Sequence, residues 1–317
     1  MARYGLTVSG FGKPLHELAP TFQAMPDMGY DDVWSDENYY IDAFTPLAYA
    51  SALAPKLRLG LSVAQVYTRG AAILAMSIAG LCQAAPGRVL VGLGASTKVI
   101  VEDWNGVPYV KPLSRVRDTI RFLRAALAGE KVDEEYDTFS VKRFRLAAKI
   151  EQPPPITIGA VRPRMLALAG EVGDGVILGN VSAEDCKQVI PIVKKGNPDA
   201  EIICGIIVAP GDVEPALASA RWMLNEYLNA PVYAAAQEWL GHGDELRETW
   251  DKWKAGDRKG AAAALPQKLV DSIVLTGSFD EIHEKLQQYV DAGVDTLALS
   301  FLGGVDPMWA AKGLAPR

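Results

Sequence analysis

Cysteine and histidine are scarce in this chain of 317 residues, with three of each. Cys82, Cys186 and Cys204 are far apart and form no CxxC pair, so a disulfide framework is not indicated and we expect buried thiols in a reducing compartment. The histidines are His16, His242 and His283. All three fall in stretches with a helical pattern, which argues against a histidine-ligated zinc site at a strand end and predicts solvated helix faces.

The sequence also lacks an excess of positive charge and a long apolar run. Lys and Arg number 32 against 38 Asp and Glu, giving a net charge of −6, whereas nucleic-acid binders are usually basic. The longest apolar stretch, residues 71–82, is interrupted by Ser77 and is too short to span a bilayer. No signal-peptide pattern begins the chain. These absences predict a cytoplasmic protein that binds neither nucleic acid nor membranes.

Common phosphate-binding and nucleophile motifs are incomplete. Residues 92–97 begin like GxGxxG, but Thr97 takes the last glycine position and the stretch follows the fourth predicted strand. Lys98 stands where a GxSxG elbow needs glycine, and no GK[ST] motif occurs. No lysine lies in a predicted strand, so a Schiff-base nucleophile is not indicated.

The chain instead alternates short β-like runs with amphipathic helical runs, as parallel βαβ units do. Eight strands are predicted, at residues 4–9, 31–34, 57–63, 88–93, 155–159, 175–179, 201–208 and 295–301. Eight such units in about 300 residues favour an α/β fold of the (β/α)₈ TIM-barrel type over an open sheet. We expect a single domain over residues 1–317, with insertions near 97–111, 129–154 and 229–268, the last one helical.

Active sites of such barrels lie where the strands end, so residues after the strands are the candidates. Asp36 and Glu37 follow the second strand, where carboxylates can donate or accept a proton, although loop solvation or helix capping also fits. Gly159 and Arg162 precede a helix that begins near Pro163. The free N–H groups of that helix end, beside arginine, make either a phosphate site or an ordinary βα turn.

Several segments, in this order and spacing, resemble the luciferase-like superfamily, and within it the coenzyme F420-dependent methylenetetrahydromethanopterin reductases. The segments are GYDDVWSD at 29–36, LRLGLSV at 57–63 with YTR at 67–69, GRVLVGLG at 87–94, VKPLS at 110–114, LAGE at 127–130, GA at 159–160, RML at 164–166, AGE at 169–171, DG at 174–175, TGS at 276–278 and AGVD at 292–295. The resemblance covers nearly the whole chain.

The resemblance implies a luciferase-like barrel that binds F420, or alternatively FMN, at the ends of its strands, and it implies a homodimer. It also implies a cis peptide between Ser62 and Val63, behind the cofactor ring. The residues that it implies around the ring and the cofactor are Ala64, Gln65, Gly94, Ala95 and Ser96. Those that it implies around the phosphate are Gly159, Ala160, Arg162, Gly179 and Asn180.

The chain departs from the reductase pattern at the reacting groups. Thr7 stands where those reductases tend to carry Glu, Asp36-Glu37 stands for Asp-His, and Ser96 lies where a Gly-Pro-Gly-Asp stretch is expected. The prediction is therefore an F420-dependent oxidoreductase acting on a small organic molecule, with Glu37, Asp36 or Thr7 moving the proton. An FMN-dependent monooxygenase that uses O₂ and a barrel that only binds a ligand are the alternatives.

Overall fold

Parallel strands form a closed eight-stranded barrel in the computed structural model of the protein, which describes residues 2–37, 40–211, 213–302 and 305–317. In chain order the strands are β1 Arg3–Thr7, β2 Asp32–Ser35, β3 Arg58–Leu61, β4 Ala64–Gln65, β5 Val89–Gly94, β6 Lys131–Glu135, β7 Ser140–Arg145, β8 Ile156–Gly159, β9 Gly175–Gly179, β10 Glu201–Pro210, β11 Val274–Gly277 and β12 Thr296–Phe301. The ring runs β1–β2–β3–β5–β8–β9–β10–β12 and returns to β1. The predicted (β/α)₈ barrel is confirmed, with each of the eight predicted strands present.

Helices surround the ring and bury their apolar faces against it. They are α1 Ala19–Ala24, α2 Phe44–Leu53, α3 Ala71–Ala84, α4 Pro112–Leu127, α5 Pro163–Val172, α6 Ala183–Gly196, α7 Val213–Asn229, α8 Pro231–Leu240, α9 Gly243–Lys254, α10 Arg258–Ala263, α11 Gln267–Ile273, α12 Phe279–Asp291 and α13 Pro307–Gly313. Short 3₁₀ turns at Val8–Phe11 and Leu15–Leu18 follow β1, and a π-helix spans Val99–Trp104. None of the described helices combines the length and apolar character that a membrane span requires.

The three insertions differ in content. The first holds the π-helix, and the third is helical as expected, with α8, α9 and α10. The second contains an antiparallel hairpin, β6–β7, that the sequence did not reveal. A further strand, β11, was also missed, and it pairs in parallel with the end of β10 outside the eight-stranded ring.

Trp34 divides the interior of the barrel into an upper and a lower part. Its indole ring projects from β2 over the neighbouring strands β1 and β3. A Cβ atom built on Gly5 of β1 would lie 2.5 Å from the ring, and one built on Gly60 of β3 would lie 2.2 Å from it. Below it, the fully buried Asp32 accepts hydrogen bonds from Arg58. Above it lie the ends of the strands, so Trp34 forms the floor of the barrel mouth.

The cysteines and one of the histidines lie in the protein interior or close to it. All three cysteines are buried and unpaired by disulfides, as expected. The expectation of solvated helix faces is wrong for His242, which precedes α9 with its side chain only 22% exposed. Its Nε2 lies 2.9 Å from Asp185 Oδ1, in the first turn of α6, and its Nδ1 2.8 Å from Glu245 Oε1, in the first turn of α9. His16 is 80% exposed.

Candidate active site

One side of the barrel mouth is filled by Val63, the residue after the cis peptide. The Ser62–Val63 bond is cis, as the resemblance implied. A Cβ atom built on Gly94 would lie 2.5 Å from Val63 Cγ2, and one on Gly159 would lie 3.0 Å from Val63 Cγ1. Glycine at the ends of β5 and β8 therefore makes room for the Val63 side chain at the mouth.

The wall next to Val63, formed by the ends of β9 and β10, is open. A Cβ atom built on Gly179, at the end of β9, would meet no atom of the described residues within 4 Å. Gly205 of the adjacent strand β10 is the register partner of Gly179. Among the described residues, a Cβ atom built on Gly205 would meet only the Leu178 carbonyl oxygen, at 3.5 Å. Backbone without side chains lines this wall, so a flat ring can approach it closely.

The first turn of α5 offers an uncapped helix end beside a free cation. Arg162 is in the N-cap position, and no side chain caps the turn. The side chain of Arg162 is exposed and forms no ion pair with any described residue. Burial raises the pKa of Tyr109, and the nearby positive charge of Arg162 opposes that rise. An anion placed here would meet both the helix dipole and the guanidinium.

The start of α6, after β9, is closed by its own side chains. The Ser182 hydroxyl accepts a hydrogen bond from the Asp185 backbone N–H, and the Asp185 carboxylate accepts one from the Ser182 N–H. This capping box occupies the N–H groups that an anion would need. Of these two helix ends, only that of α5 is available for a phosphate.

Two insertions reach the rim of the mouth, and sequence reasoning missed the residues that they bring. Tyr109 of the first insertion donates a hydrogen bond from its hydroxyl to the Ser96 carbonyl oxygen, at 3.2 Å. Gln237 of α8 is buried and donates to the Asn180 carbonyl oxygen, at 3.1 Å. The length of the insertions was the only signal in the sequence, and it did not say where they fold.

Glu37 is held in a network at the rim. Its Oε1 accepts hydrogen bonds from Arg69 Nε at 3.0 Å and Arg69 Nη2 at 2.7 Å, and its Oε2 accepts one from the Gln65 backbone N–H at 3.1 Å. Gln65 Nε2 donates in turn to the Glu37 carbonyl oxygen, at 2.9 Å. The Glu37 side chain is 12% exposed and the Arg69 side chain 22%. Arg69 was not among the predicted site residues.

The other predicted residues lie around the same mouth. Thr7 is buried at the end of β1, two residues after Gly5, and so continues the series that faces the barrel interior. Asp36 comes two residues after the interior-facing Trp34 of β2, so it continues that series in the same way, and it is half-buried. Ser62, Ala95, Ser96, Ala160 and Asn180 follow the ends of their strands, and Ala64 begins β4. The Ala160 N–H donates to the Ile177 carbonyl oxygen, so Ala160 ties β8 to β9 at the rim.

Two cavities lie near these elements. One, of about 570 Å³, opens beside the mouth and is lined by Glu37, Gln65, Arg69, Tyr40, Ile73 and Trp104, among others. The other, of about 510 Å³, lies between α6 and the helical insertion and is lined by Asp185 and His242, among others. In the described part of the chain, no three His, Cys, Asp or Glu side chains lie close enough to hold a metal ion.

Comparison with known proteins identifies the family. The model of the luciferase-like monooxygenases matches residues 3–296. The chain belongs to the luciferase-like family.

Among the relatives of this luciferase-like protein, a putative coenzyme F420-dependent oxidoreductase of Mycobacterium tuberculosis is 27% identical over 94% of both chains. A 5,10-methylenetetrahydromethanopterin reductase of Methanolobus tindarius is 28% identical over 89% of both. The structure of an F420-dependent tetrahydromethanopterin reductase from Methanopyrus kandleri superposes with a TM-score of 0.83 at 19% identity, covering 99% of this chain and 97% of that one. These findings confirm the predicted family and barrel fold.

Proposed function

We propose that this luciferase-like protein is an F420-dependent oxidoreductase that transfers a hydride between the deazaflavin and a small organic molecule. At one mouth, an open glycine wall lies beside an uncapped helix end and the exposed Arg162, which pairs with no carboxylate among the described residues, and this pairing of features supports the proposal. The names of the two relatives described above support F420 as the cofactor.

The residues present fit such a cofactor. Gly179 and Gly205 leave space for a flat ring against the backbone, and Val63, which packs over Gly159 of the neighbouring strand β8, borders that space. Arg162 and the first turn of α5 would hold the phosphate, with Asn180 at the neighbouring strand end. When bound, F420 supplies a hydride at C5 of its deazaflavin ring.

The chain's own task is to orient the substrate, exclude water and supply a proton. We assign proton transfer to Asp36, with Thr7 as a hydrogen-bonding partner of the substrate, because both continue interior-facing series at the mouth. Glu37, also a candidate from the sequence, has its carboxylate taken by Arg69 and Gln65. We therefore give Glu37 no proton to carry.

An FMN-dependent monooxygenase is the second candidate, because the family model that matches is described as luciferase-like monooxygenase. The same wall and phosphate site would serve FMN, whose ring and phosphate have a similar arrangement. Reduced FMN reacts with O₂, so this function would show itself as oxygen consumption in the presence of a substrate.

We also propose that the protein forms a homodimer through α3. This helix of fourteen residues contains no charged side chain, and Ile73 and Met76 on its outer face are 52% and 46% exposed. Trp104 of the π-helix, 55% exposed, lies with Ile73 around the same cavity. An exposed cluster of large apolar side chains is typical of an interface between subunits.

Titration of the purified apoprotein with F420, and separately with FMN, tests the function. Quenching of cofactor fluorescence reports the dissociation constant of each. We expect F420 to bind more tightly than FMN, and reduced F420 then to serve in a screen of organic acceptors. Tighter binding of FMN would reject the F420 proposal and favour the monooxygenase.

A further inference from the structure

We infer that Arg69 is a positioning residue, which acts through Glu37 to hold the segment carrying Val63 against the barrel mouth. The arrangement that carries this inference is the Glu37–Arg69 ion pair joined to β4 through the Gln65 backbone. The role in cofactor binding rests on the function proposed above, whereas the clamp itself does not.

The segment needs an external anchor because its own strand is short. β4 has only two residues, Ala64 and Gln65, which pair with Leu93 and Gly94 of β5. The Val66 N–H adds one more hydrogen bond, to the Gly94 carbonyl oxygen. These backbone hydrogen bonds are few. Burial of Ala64 and Val66 in the core and a hydrogen bond from Arg115 Nε to the Val66 carbonyl oxygen, at 3.2 Å, also hold the segment, and the contact with Glu37 adds to them.

Glu37 supplies the anchor from the neighbouring loop. It accepts the Gln65 N–H with its carboxylate and the Gln65 side-chain amide with its carbonyl oxygen, so main chain and side chain of one residue are both tied to it. The carboxylate in turn receives two N–H groups of Arg69 on one oxygen. Charge-assisted hydrogen bonds of this kind are stronger than neutral ones, and partial burial protects them from screening.

Arg69 is itself held from two further sides. Its guanidinium lies over the Phe44 ring, with Cζ at 4.7 Å from the centroid, and Nη2 is 3.5 Å from Asp42 Oδ1. Both residues precede or begin α2, so the clamp joins the loop after β2, the start of α2 and the segment after β3. A lysine would offer a single point charge without the planar fork, and would make the clamp weaker.

The consequence falls on Val63, two residues before Gln65. Its side chain fills the space above Gly94 and Gly159 on one side of the mouth, next to the open wall at Gly179. Releasing Gln65 frees Val63 to move, and the width of the mouth then varies. Arg69 and Glu37 thus set the mouth's width without contacting the cofactor.

Hydrogen exchange of the full-length protein without ligand tests the clamp. We expect Arg69→Met and Glu37→Ala to speed exchange of the Gln65 and Val66 amides, and Arg69→Lys to do so less. Arg121→Met, which breaks the exposed ion pair between Arg121 of α4 and Glu134 of β6, is the matched control and should leave both amides unchanged. Unchanged exchange in Arg69→Met and Glu37→Ala overturns the clamp. Exchange within β9 shows whether each variant is folded.

Binding of F420 to the same variants tests the positioning role. We expect Arg69→Met and Glu37→Ala to weaken binding about tenfold, the size of a lost preorganising contact. Arg69→Lys keeps a positive charge beside Glu37 and should recover part of the affinity, whereas Glu37→Gln, whose amide has one acceptor oxygen where the carboxylate has two, should not. Faster exchange with F420 affinity unchanged overturns the positioning role. If the parent protein does not bind F420, the proposed function fails while the exchange result still decides the clamp.

Discussion

Val63 and Gly94 interlock at the barrel mouth: a Cβ atom on Gly94 would lie 2.5 Å from Val63 Cγ2. Glycine is thus required there by a neighbouring side chain, whereas a Cβ atom on Gly179, two strands further round the barrel, would meet no atom of the described residues within 4 Å. The two glycines therefore have different roles, and replacing each with alanine should have different effects on stability and on cofactor binding.

Gly94→Ala should destabilise the protein by about 1–3 kcal/mol, because the added methyl group has to displace Val63 in a packed site. Urea unfolding followed by circular dichroism measures the change. Gly80→Ala is the control, since a Cβ on this exposed glycine of α3 meets no atom within 4 Å and alanine favours helix. Equal stability of Gly94→Ala and the parent protein would contradict the interlock.

Gly179→Ala should leave the free energy of unfolding within about 0.5 kcal/mol of the parent, because the methyl group enters open space. Its effect should appear in F420 binding, which we expect to weaken since the methyl group occupies the proposed ring site. Fluorescence titration measures the dissociation constant. Undiminished affinity would show that the ring does not lie against β9.

Arg162→Ala should weaken F420 binding by about tenfold, the value of one charge-assisted hydrogen bond to a phosphate. Because the guanidinium is exposed, salt screens its charge. Raising the salt concentration should therefore narrow the difference in F420 dissociation constant between the parent protein and the variant. Titrations at low and high ionic strength measure both effects. Arg247→Ala, on an exposed part of α9, is the control. A difference that does not depend on salt would count against an ionic contact.

His242 should make the stability of the protein depend on pH. Burial disfavours its charged form, but hydrogen bonds to Asp185 and Glu245 outweigh this and raise its pKa above 6.5. Its stabilising contribution is therefore complete below about pH 6.5 and is lost as the pH rises through the raised pKa. The difference in unfolding free energy between the parent and His242→Gln should shrink from about pH 5 to 8.

His283→Gln is the control for that series. Burial lowers the pKa of His283, so its contribution is lost as the pH falls, and the difference between the parent and His283→Gln should run in the opposite direction. A His242→Gln difference that is constant or grows with pH would show that the contacts with Asp185 and Glu245 do not stabilise the charged histidine.

Ile73→Glu should abolish the proposed dimer, because a charge on the apolar face of α3 would be buried without a partner. Light scattering coupled to size-exclusion chromatography measures the mass. Trp222→Glu, an equally exposed apolar residue on α7, is the control and should keep the parent's mass. A parent protein that is monomeric at all concentrations would reject the dimer.

The barrel could be predicted because its strands have strong local signals. Buried strands such as β5 and β10 appear as continuous apolar runs, and those runs are bounded by glycine or proline in the sequence. The hairpin β6–β7 escaped because most of its residues are exposed and charged, and a bulge breaks its alternation. β11 escaped because it is four residues long and follows α11 without a loop.

The sequence predicted where in the fold the candidate site residues lie, but it did not predict which side chains contact one another there. The ends of the strands meet at one mouth, so Asp36, Glu37 and Gly159 were found by their place after strands. The ion pair of Glu37 with Arg69 joins residues 32 positions apart, and the contact of Gln237 with Asn180 joins residues 57 apart. Such contacts depend on tertiary packing, which no local pattern in one sequence encodes.

The strand β11 gives the helical insertion a defined point of return. The chain leaves β10 at Pro210, passes through helices α7 to α11, and returns in β11. Residues Val274–Gly277 of β11 pair with Ile207–Pro210 of β10. The barrel closes separately, through pairing of Ile203–Val208 with β12. The backbone on the returning side of the insertion therefore pairs with one strand of the sheet, β10, while side chains such as Gln237 and His242 contact Asn180 and Asp185. The insertion's length and sequence can change what covers the mouth while the ring of eight strands stays intact.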